Sequence, residues 1–181
     1  MTGAKTPLRT FDAYMTVNDM DMGLDGNLYI TAGVYNFIYI EPISGGTVGT
    51  ITFPGGGNVS QSIISQDGSI WVVMADPAAG WANKVVKVAP SGQKTDYPMP
   101  SGASLGGMVE GSDGSIWFVS RTIGSGVRQV GRIALTGVVT MYDPPGQGTM
   151  SDLKGLALDS SGAIWVTYKT NTGLGGLIKI S

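Results

Sequence analysis

Few side chains in this sequence could carry acid–base chemistry. The chain has 181 residues with no His and no Cys, so it offers no imidazole base, no thiolate and no disulfide, and a metal ion would need oxygen ligands. Asp19, Asp21 and Glu110 could form a carboxylate pair, and the only other Glu is Glu41. Lys154 could serve as a base only in a desolvated site. This thin supply argues against catalysis.

Four similar segments recur along the chain. Each begins with Asp-Gly or Ser-Gly and continues into β-branched and aromatic residues, which is typical of a tight turn that leads into a strand. The segments start at Asp25, Asp67, Asp113 and Ser161, at intervals of 42 to 48 residues. The Asp residues could bind a metal, but their position before Gly favours a role in capping the turn.

An aromatic residue follows each of these turns. The four are Tyr29, Trp71, Trp117 and Trp165. They could form an aromatic platform for a ligand. A residue that recurs in every repeat, however, solves a packing problem that every repeat has, so we expect these rings to fill the space between neighbouring repeats.

Strand patterns recur on both sides of the turn. A short strand is predicted before each turn, at Val17–Met22, Val59–Ile64, Leu105–Glu110 and Leu153–Leu158. A third strand follows in every repeat, and a fourth follows a second turn in the first three. Each repeat therefore predicts a four-stranded antiparallel meander of about 45 residues, the size of one β-propeller blade. The predicted fold is all-β: one propeller domain over residues 1–181, with repeats at about 14–54, 55–100, 101–146 and 147–181.

The fourth repeat lacks an outer strand of its own. Residues 7–13 contain a strand pattern that resembles the outer strand of the third repeat, and pairing it with Leu177–Ile180 would complete the last blade. Two arrangements satisfy this pairing. One is a closed ring of four blades within a single chain, and the other is a larger ring in which chains exchange end strands.

The innermost strands of a propeller line its central channel, and there the repeats differ in sequence. Alignment on the turns places one residue of each repeat at a common level, namely Asn18, Ser60, Gly106 and Lys154, and the next level holds Asp19, Gln61, Gly107 and Gly155. Asp21 and Glu110 lie nearby. These positions predict ligand contacts in the channel, which could also hold water or one hard cation such as Mg or Ca.

Two longer connections join second to third strands and lie on one face of the predicted ring. They contain Trp81 and Arg121, and Tyr168 lies just before the corresponding stretch of the fourth repeat. Trp and Arg are enriched in binding hot spots, so Trp81 and Arg121 are a candidate contact pair. Alternatively, Trp81 folds back onto its own blade.

The repeats resemble those of streptogramin B lyase, also called virginiamycin B lyase, and more loosely the NHL-type propellers. Three pieces carry the resemblance: Gly155-Leu156-Ala157, Asp113-Gly114-Ser115-Ile116-Trp117-Phe118 and Arg128-Gln129-Val130-Gly131-Arg132-Ile133. The resemblance extends from about residue 17 to residue 180 and implies a β-propeller fold. It also implies ring opening by elimination through a His base, an acidic residue and a magnesium ion.

This chain departs from that pattern at the catalytic positions. It has no His, and the position that the family often fills with Glu holds Ala32, Met74, Ser120 and Tyr168. The family also generally has more than four blades. We therefore extend the fold to this chain but not the catalysis.

Composition limits the partners. Charged residues are 13% of the chain and the net charge is −2, so there is no basic surface for nucleic acid or anionic membranes. Gly is frequent, at 29 residues, as a turn-rich fold requires. No apolar stretch is long enough to insert into a membrane, and we expect a soluble chain. The absence of Cys fits a virion or extracellular setting as well as the cytoplasm. We slightly favour the virion or extracellular setting, but the compartment stays open.

These features predict a non-catalytic binding or structural module of a phage virion or bacterial surface assembly. A protein partner or self-association is the expected interaction. One alternative is a lyase-like or other cation-dependent enzyme. Another is a carbohydrate-binding propeller that presents Trp81, Trp71 or Tyr168.

Overall fold

The computed structural model describes residues 16–32, 37–42, 49–53, 57–76 and 82–181. These ranges contain fifteen strands in four antiparallel sheets, one sheet for each sequence repeat. Blade 1 consists of β1 (Val17–Met22), β2 (Asn27–Ala32), β3 (Phe37–Pro42) and β4 (Gly49–Thr52). Blade 2 consists of β5 (Asn58–Ile64), β6 (Ile70–Asp76), β7 (Ala82–Val88) and β8 (Lys94–Pro98). Blade 3 consists of β9 (Ala103–Glu110), β10 (Ile116–Thr122), β11 (Arg128–Ile133) and β12 (Val139–Tyr142). Blade 4 consists of β13 (Met150–Leu158), β14 (Ile164–Thr170) and β15 (Gly175–Ile180).

The fold is an all-β propeller of four blades, as the repeats predict. In every sheet the strands lie side by side in chain order, which is the meander topology expected for a blade. A short 3₁₀ helix at Gln147–Thr149, which the sequence did not predict, precedes β13. In the part of the chain that the structure describes, β15 is the outermost strand of blade 4. The predicted pairing partner at residues 7–13 lies outside the described residues.

The turn between the first and second strands is capped by Asp in three blades. The Oδ1 atom of Asp25, Asp67 or Asp113 accepts a hydrogen bond from the backbone N–H two residues later, at distances of 2.9 to 3.0 Å. The Gly that follows each Asp has a φ of 75° to 77°, a left-handed conformation that favours glycine. The predicted turn-capping role of these Asp residues is confirmed.

Blade 4 reaches the same turn with a different residue. Asp159 lies two positions earlier, and its Oδ1 accepts hydrogen bonds from the backbone N–H groups of Ser161 and Ala163 at 2.8 and 3.0 Å. The other carboxylate oxygen accepts a bond from Trp165 Nε1 at 2.7 Å. Sequence alignment placed Ser161 at the capping position and missed Asp159, because a carboxylate at either position can reach the turn.

The blades pack through alternate residues of their second strands. Val72 and Met74 lie in an apolar cluster with Ile38 of blade 1, whereas Trp71 lies in a cluster with Phe118 of blade 3. This alternation follows from the period of two along a strand. Trp71 is only 4% exposed. It fills the space between blades 2 and 3, as we expected of the recurrent aromatic residues.

The innermost strands pack in chain order, β1 on β5, β5 on β9 and β9 on β13. Comparable packing of β13 on β1 is absent from the described residues. Each blade therefore contacts its neighbours in sequence. Within the same ranges, no helix is long and apolar enough to cross a membrane.

Candidate functional site

Every innermost strand carries a β-bulge at the level that the sequence assigned to the channel. The register shifts between Val17 and Asp19 in β1 and between Val59 and Gln61 in β5. In β9 the bulge spans Gly106 and Gly107, and in β13 the larger of two irregularities spans Lys154 and Gly155. Bulges disrupt ladder pairing and redirect side chains, so the variable channel positions are also the irregular ones.

The bulges of β9 and β13 border a cleft of about 330 Å³ at the channel. Polar and charged side chains from blades 2, 3 and 4 line it: Gln61, Ser104, Ser120, Arg121, Asp152 and Lys154. Gly107 forms part of the wall. A Cβ added there would lie 3.1 Å from the carbonyl oxygen of Lys154, so a side chain would push the two strands apart. Glycine in the bulge therefore allows the close approach of β9 and β13 beside the cleft.

The cleft is rich in cationic groups. Lys154 Nζ lies 2.7 Å from Asp152 Oδ2, and its side chain is 73% exposed, which makes this a weak, solvated pair. Arg121 is also exposed, and its guanidinium has no hydrogen bond or ion pair with any residue of the described ranges. One uncompensated positive charge is thus present at the cleft.

Gln61, which also lines this cleft, has a buried side-chain oxygen without a donor in the part of the chain that the structure describes. Gln61 Oε1 is inaccessible to solvent and has no hydrogen-bond partner among the described residues, which is costly for a buried polar atom. The Arg121 guanidinium suits a ligand that presents an anionic oxygen, and the Gln61 oxygen could take a ligand donor only after its side chain turns toward the cleft.

The predicted carboxylates accept hydrogen bonds from backbone N–H groups of blade 2. Asp19 Oδ2 accepts a hydrogen bond from the Ser62 backbone N–H at 3.1 Å, and Asp21 Oδ2 accepts one from Ile64 at 2.7 Å. Glu110 Oε2 accepts a bond from the backbone N–H of Gln66 at 2.8 Å.

In each of these bonds a carboxylate of one blade pairs with the backbone of a neighbouring blade. Asn18 does the same as a donor, from Nδ2 to the carbonyl oxygen of Val59 at 3.1 Å. The bonds satisfy backbone groups at the free edge of an innermost strand and connect adjacent blades. The four residues are therefore engaged in holding the channel wall together.

Tyr168 and Trp81 are not brought together with Arg121. Tyr168 is half-buried against the cluster between blades 3 and 4, where its ring covers the cross-strand Gly176. It lines a separate groove of about 500 Å³ with Leu177. Trp81 lies outside the described residues, so the predicted contact pair of Trp81 and Arg121 stays a prediction.

Sequence reasoning missed Asp152. Its spacing of two residues from Lys154 on one strand was a usable signal, since such residues share a face of a regular strand. Of the four positions that match the family's Glu, Ser120 alone lines the cleft; Ala32 and Met74 are fully buried. No group of three or more His, Cys, Asp or Glu within the described ranges is arranged to hold a metal ion. The channel cation stays a prediction.

At the other end of the strands, away from the channel cleft, a Trp ring stacks on a Tyr ring in two of the blade interfaces. Trp71 stacks on Tyr97 with ring centroids 5.3 Å apart, and Lys87 Nζ lies 5.1 Å from the Trp71 ring and 3.0 Å from Asp67 Oδ2. In the next interface Trp117 stacks on Tyr142 at 5.6 Å, with Arg132 over the indole and paired with Asp113.

These turn carboxylates are held in the charged form. Hydrogen bonds from Ser115, first from its side chain and then from its backbone, lower the pKa of Asp113 to about 2, and Arg132 adds to the effect. Bonds from Ser161 and Trp165 lower the pKa of Asp159. In blade 1, burial and the hydrogen bond to Asp25 raise the pKa of Tyr29 to about 12. The low pKa values of Asp113 and Asp159 therefore result from hydrogen bonds within their turns.

The chain is similar to solved propeller structures. Streptogramin B lyase has 26% sequence identity and a TM-score of 0.67, over 89% of this chain and 53% of the lyase chain. A catalytically inactive virginiamycin B lyase from Staphylococcus aureus, solved with quinupristin, has 24% identity and a TM-score of 0.70, over 96% of this chain and 58% of the other. A prolyl endopeptidase, at 19% identity and a TM-score of 0.64 over 90% of this chain and 24% of the other, shares the fold alone.

The chain is therefore a β-propeller whose blades resemble those of the lyases. It spans a little over half the length of the two lyase chains. No family model matches the sequence, and no curated protein matches it. The similarity defines a lyase-like propeller fold without assigning a specific family.

Proposed function

We propose that this chain is a non-catalytic propeller module that binds a small anionic molecule in the channel cleft. The observation that carries the proposal is the Arg121 guanidinium, which has no partner among the described residues and lines the same cleft as Lys154 and Gln61. A guanidinium can bind a carboxylate or phosphate through two parallel hydrogen bonds. Gln61 would accept a hydrogen bond from a donor on the same ligand after its side chain turns toward the cleft, because its Oε1 is inaccessible to solvent in the structure.

Two features favour binding over catalysis. The chain has no His to act as a base. The carboxylates Asp19, Asp21 and Glu110 already accept bonds from the backbone of a neighbouring blade. The lyase-like or cation-dependent enzyme and the carbohydrate-binding propeller remain predictions that no observation here favours.

Calorimetric titration with malate and succinate at low salt tests the binding. Malate offers a hydroxyl donor for Gln61 and succinate does not, so malate should bind more tightly. Arg121→Gln should weaken malate binding at least tenfold, and Lys154→Gln should weaken it less because Asp152 already shares that ammonium. Lys179→Gln, an exposed position outside the cleft, is the charge-matched control. Unchanged affinity in Arg121→Gln would refute the proposal, and so would the absence of binding by either acid.

A second candidate function is structural, as a self-associating module. It is favoured by the end blades, where β13 and β1 lack mutual packing in the described part of the chain. Met20 on β1 is 66% exposed and Leu177 on β15 is 63% exposed. Contact with further blades would cover these apolar side chains and the edge of β15, which is outermost among the described strands. The phage virion or bacterial surface setting is a prediction from composition and repeats alone.

Light scattering at several concentrations, with the full chain and with residues 1–13 deleted, tests this role. We expect particles of more than one chain for the parent. If residues 7–13 complete blade 4, their deletion should cause dissociation or aggregation through the exposed edge. A parent that stays monomeric at all concentrations contradicts self-association.

A further inference from the structure

The interface between blades 1 and 2 contains a cleft of about 590 Å³, larger than the channel cleft. It lies at the turn end of the strands, between the β1–β2 turn of blade 1 and the β7–β8 turn of blade 2. Its walls are mainly apolar and come from both blades, with contributions from Ile40, Ile51, Ile64, Ile70 and Val88. The channel cleft lies at the other end of the strands and shares none of its lining residues with this one.

The next interface has a smaller cleft at the same position, of about 310 Å³, where the Trp71–Tyr97 stack and Lys87 take up part of the space. The strand registers make the comparison direct, because Tyr29 pairs with Ile40 in the way that Trp71 pairs with Lys87. Likewise Ile38 pairs with Ile51, whereas Val85 pairs with Tyr97. Blade 1 therefore has Ile in place of the stacking Tyr and Ile in place of the cation.

The carboxylate that the cation would balance is still present. Asp25 Oδ2 accepts hydrogen bonds from Asn27 Nδ2 at 2.7 Å and from the Tyr29 hydroxyl at 2.9 Å. In the described ranges no Lys or Arg forms an ion pair with it, unlike Asp67 with Lys87 and Asp113 with Arg132. Among the described residues, interface 1–2 thus keeps the acid but has Ile40 and Ile51 where the next interface has a cation and a second ring.

Lys94 is the only cation among the described lining residues. Its ammonium lies over the Phe53 ring, 5.7 Å from the ring centroid. It therefore already has an aromatic partner, and Asp25 stays available to a ligand.

We infer that this cleft binds a ligand that carries a flat aromatic ring and a positively charged group. The ring would lie against Tyr29 and the isoleucine wall, where the Trp–Tyr pair lies in the other interfaces. The positive charge would pair with Asp25, as Lys87 pairs with Asp67. A small aromatic amine has this chemistry.

Ligand-observed NMR and calorimetry with tryptamine and indole-3-propionate test the inference. The two probes share the indole and differ in charge, so tryptamine should bind at least tenfold more tightly. Asp25→Asn should remove most of this difference. Ile51→Tyr, which supplies the ring found at Tyr97, should weaken tryptamine binding at least tenfold. Val138→Tyr, at a position 60% exposed and outside the cleft, is the matched control.

Two further variants keep the test decisive. Ile40→Lys should form the internal ion pair with Asp25 and compete with the ligand's charge, so it should weaken tryptamine binding even if Ile51→Tyr folds poorly. Arg121→Gln should leave tryptamine binding unchanged, which separates this site from the channel cleft. Equal affinity for both probes, or unchanged tryptamine binding in Ile51→Tyr and Ile40→Lys, would overturn the inference.

Discussion

The interfaces on the two sides of blade 2 are built from the same repeat and end up packed differently. Toward blade 3, Trp71 is buried, stacked on Tyr97 and covered by Lys87. Toward blade 1, Tyr29 is half-buried and lines a cleft. Strand order and turn capping are the same in both blades. The comparison teaches that the turn motif and strand pattern determine the blade, while the space left between blades varies, with about 590 Å³ beside Tyr29 and about 310 Å³ beside Trp71.

The largest expected effect comes from removing the ring on the filled side. Trp71→Ala should lower the free energy of unfolding by about 3–5 kcal/mol, because it leaves a cavity between blades 2 and 3. Tyr29→Ala should cost only about 1–2 kcal/mol, because that ring already borders open space. Urea denaturation with a constant m-value measures both. Equal losses would show that the two interfaces are equally packed.

Removal of the turn carboxylate should also cost more stability beside Trp71 than beside Tyr29. Asp67→Ala removes bonds from Ser65, Ser69 and Lys87 and should cost about 1–2 kcal/mol, since part of the group is exposed. Asp25→Ala removes bonds at an exposed turn and should cost about half as much. Asp96→Ala, which removes a surface ion pair with Lys84, is the control and should cost about 0–1 kcal/mol. Thermal unfolding midpoints rank the three.

Exchange of the stacking ring should shift stability in opposite directions. Ile51→Tyr should stabilise the chain by about 0.5–1.5 kcal/mol if the added phenol stacks on Tyr29. Tyr97→Ile should destabilise it by a similar amount through loss of the Trp71 stack. If Ile51→Tyr lowers the melting temperature, the open cleft is not an unfilled version of the Trp71 site.

The smallest expected effect is a pH dependence. The pKa of Asp113 is about 2 in the folded chain, below the value near 3.9 of an unfolded one. A lowered folded-state pKa contributes stability that is fully present above the unfolded value and is lost as the pH falls through the folded value. Stability should therefore decline between about pH 4 and pH 2. The decline should be shallower in Asp113→Asn; an identical slope would remove Asp113 from the acid response.

The fold could be predicted from the sequence because each repeat has its own turn and strand signals. Asp25, Asp67 and Asp113 mark turns through local hydrogen bonds, which sequence spacing alone can reveal. The strand boundaries were predicted less well: β13 begins at Met150 rather than Leu153. Asp159 was missed because its contacts depend on where the backbone brings Ser161 and Ala163.

The candidate site could be predicted only in part. Alignment placed Lys154 and Gln61 in the channel, and the structure brings both to one cleft with Arg121. The contacts of Asp19 and Asp21 depend on backbone N–H groups of the next blade, which donate to them. No sequence pattern shows where those groups lie. The cleft beside Tyr29 depends on the volume left between two sheets. Such properties follow from long-range packing and register.

The sequential packing of the blades determines where partial unfolding should begin. When each unit contacts only its neighbours in sequence, stability is a sum of unit and nearest-neighbour contributions, as in a one-dimensional array. In the part of the chain that the structure describes, the two interior blades pack against two neighbours and the two terminal blades against one. Amide hydrogens of β6 and β10 should therefore exchange most slowly, and those of β2 and β14 should exchange earlier, through partial unfolding from the ends.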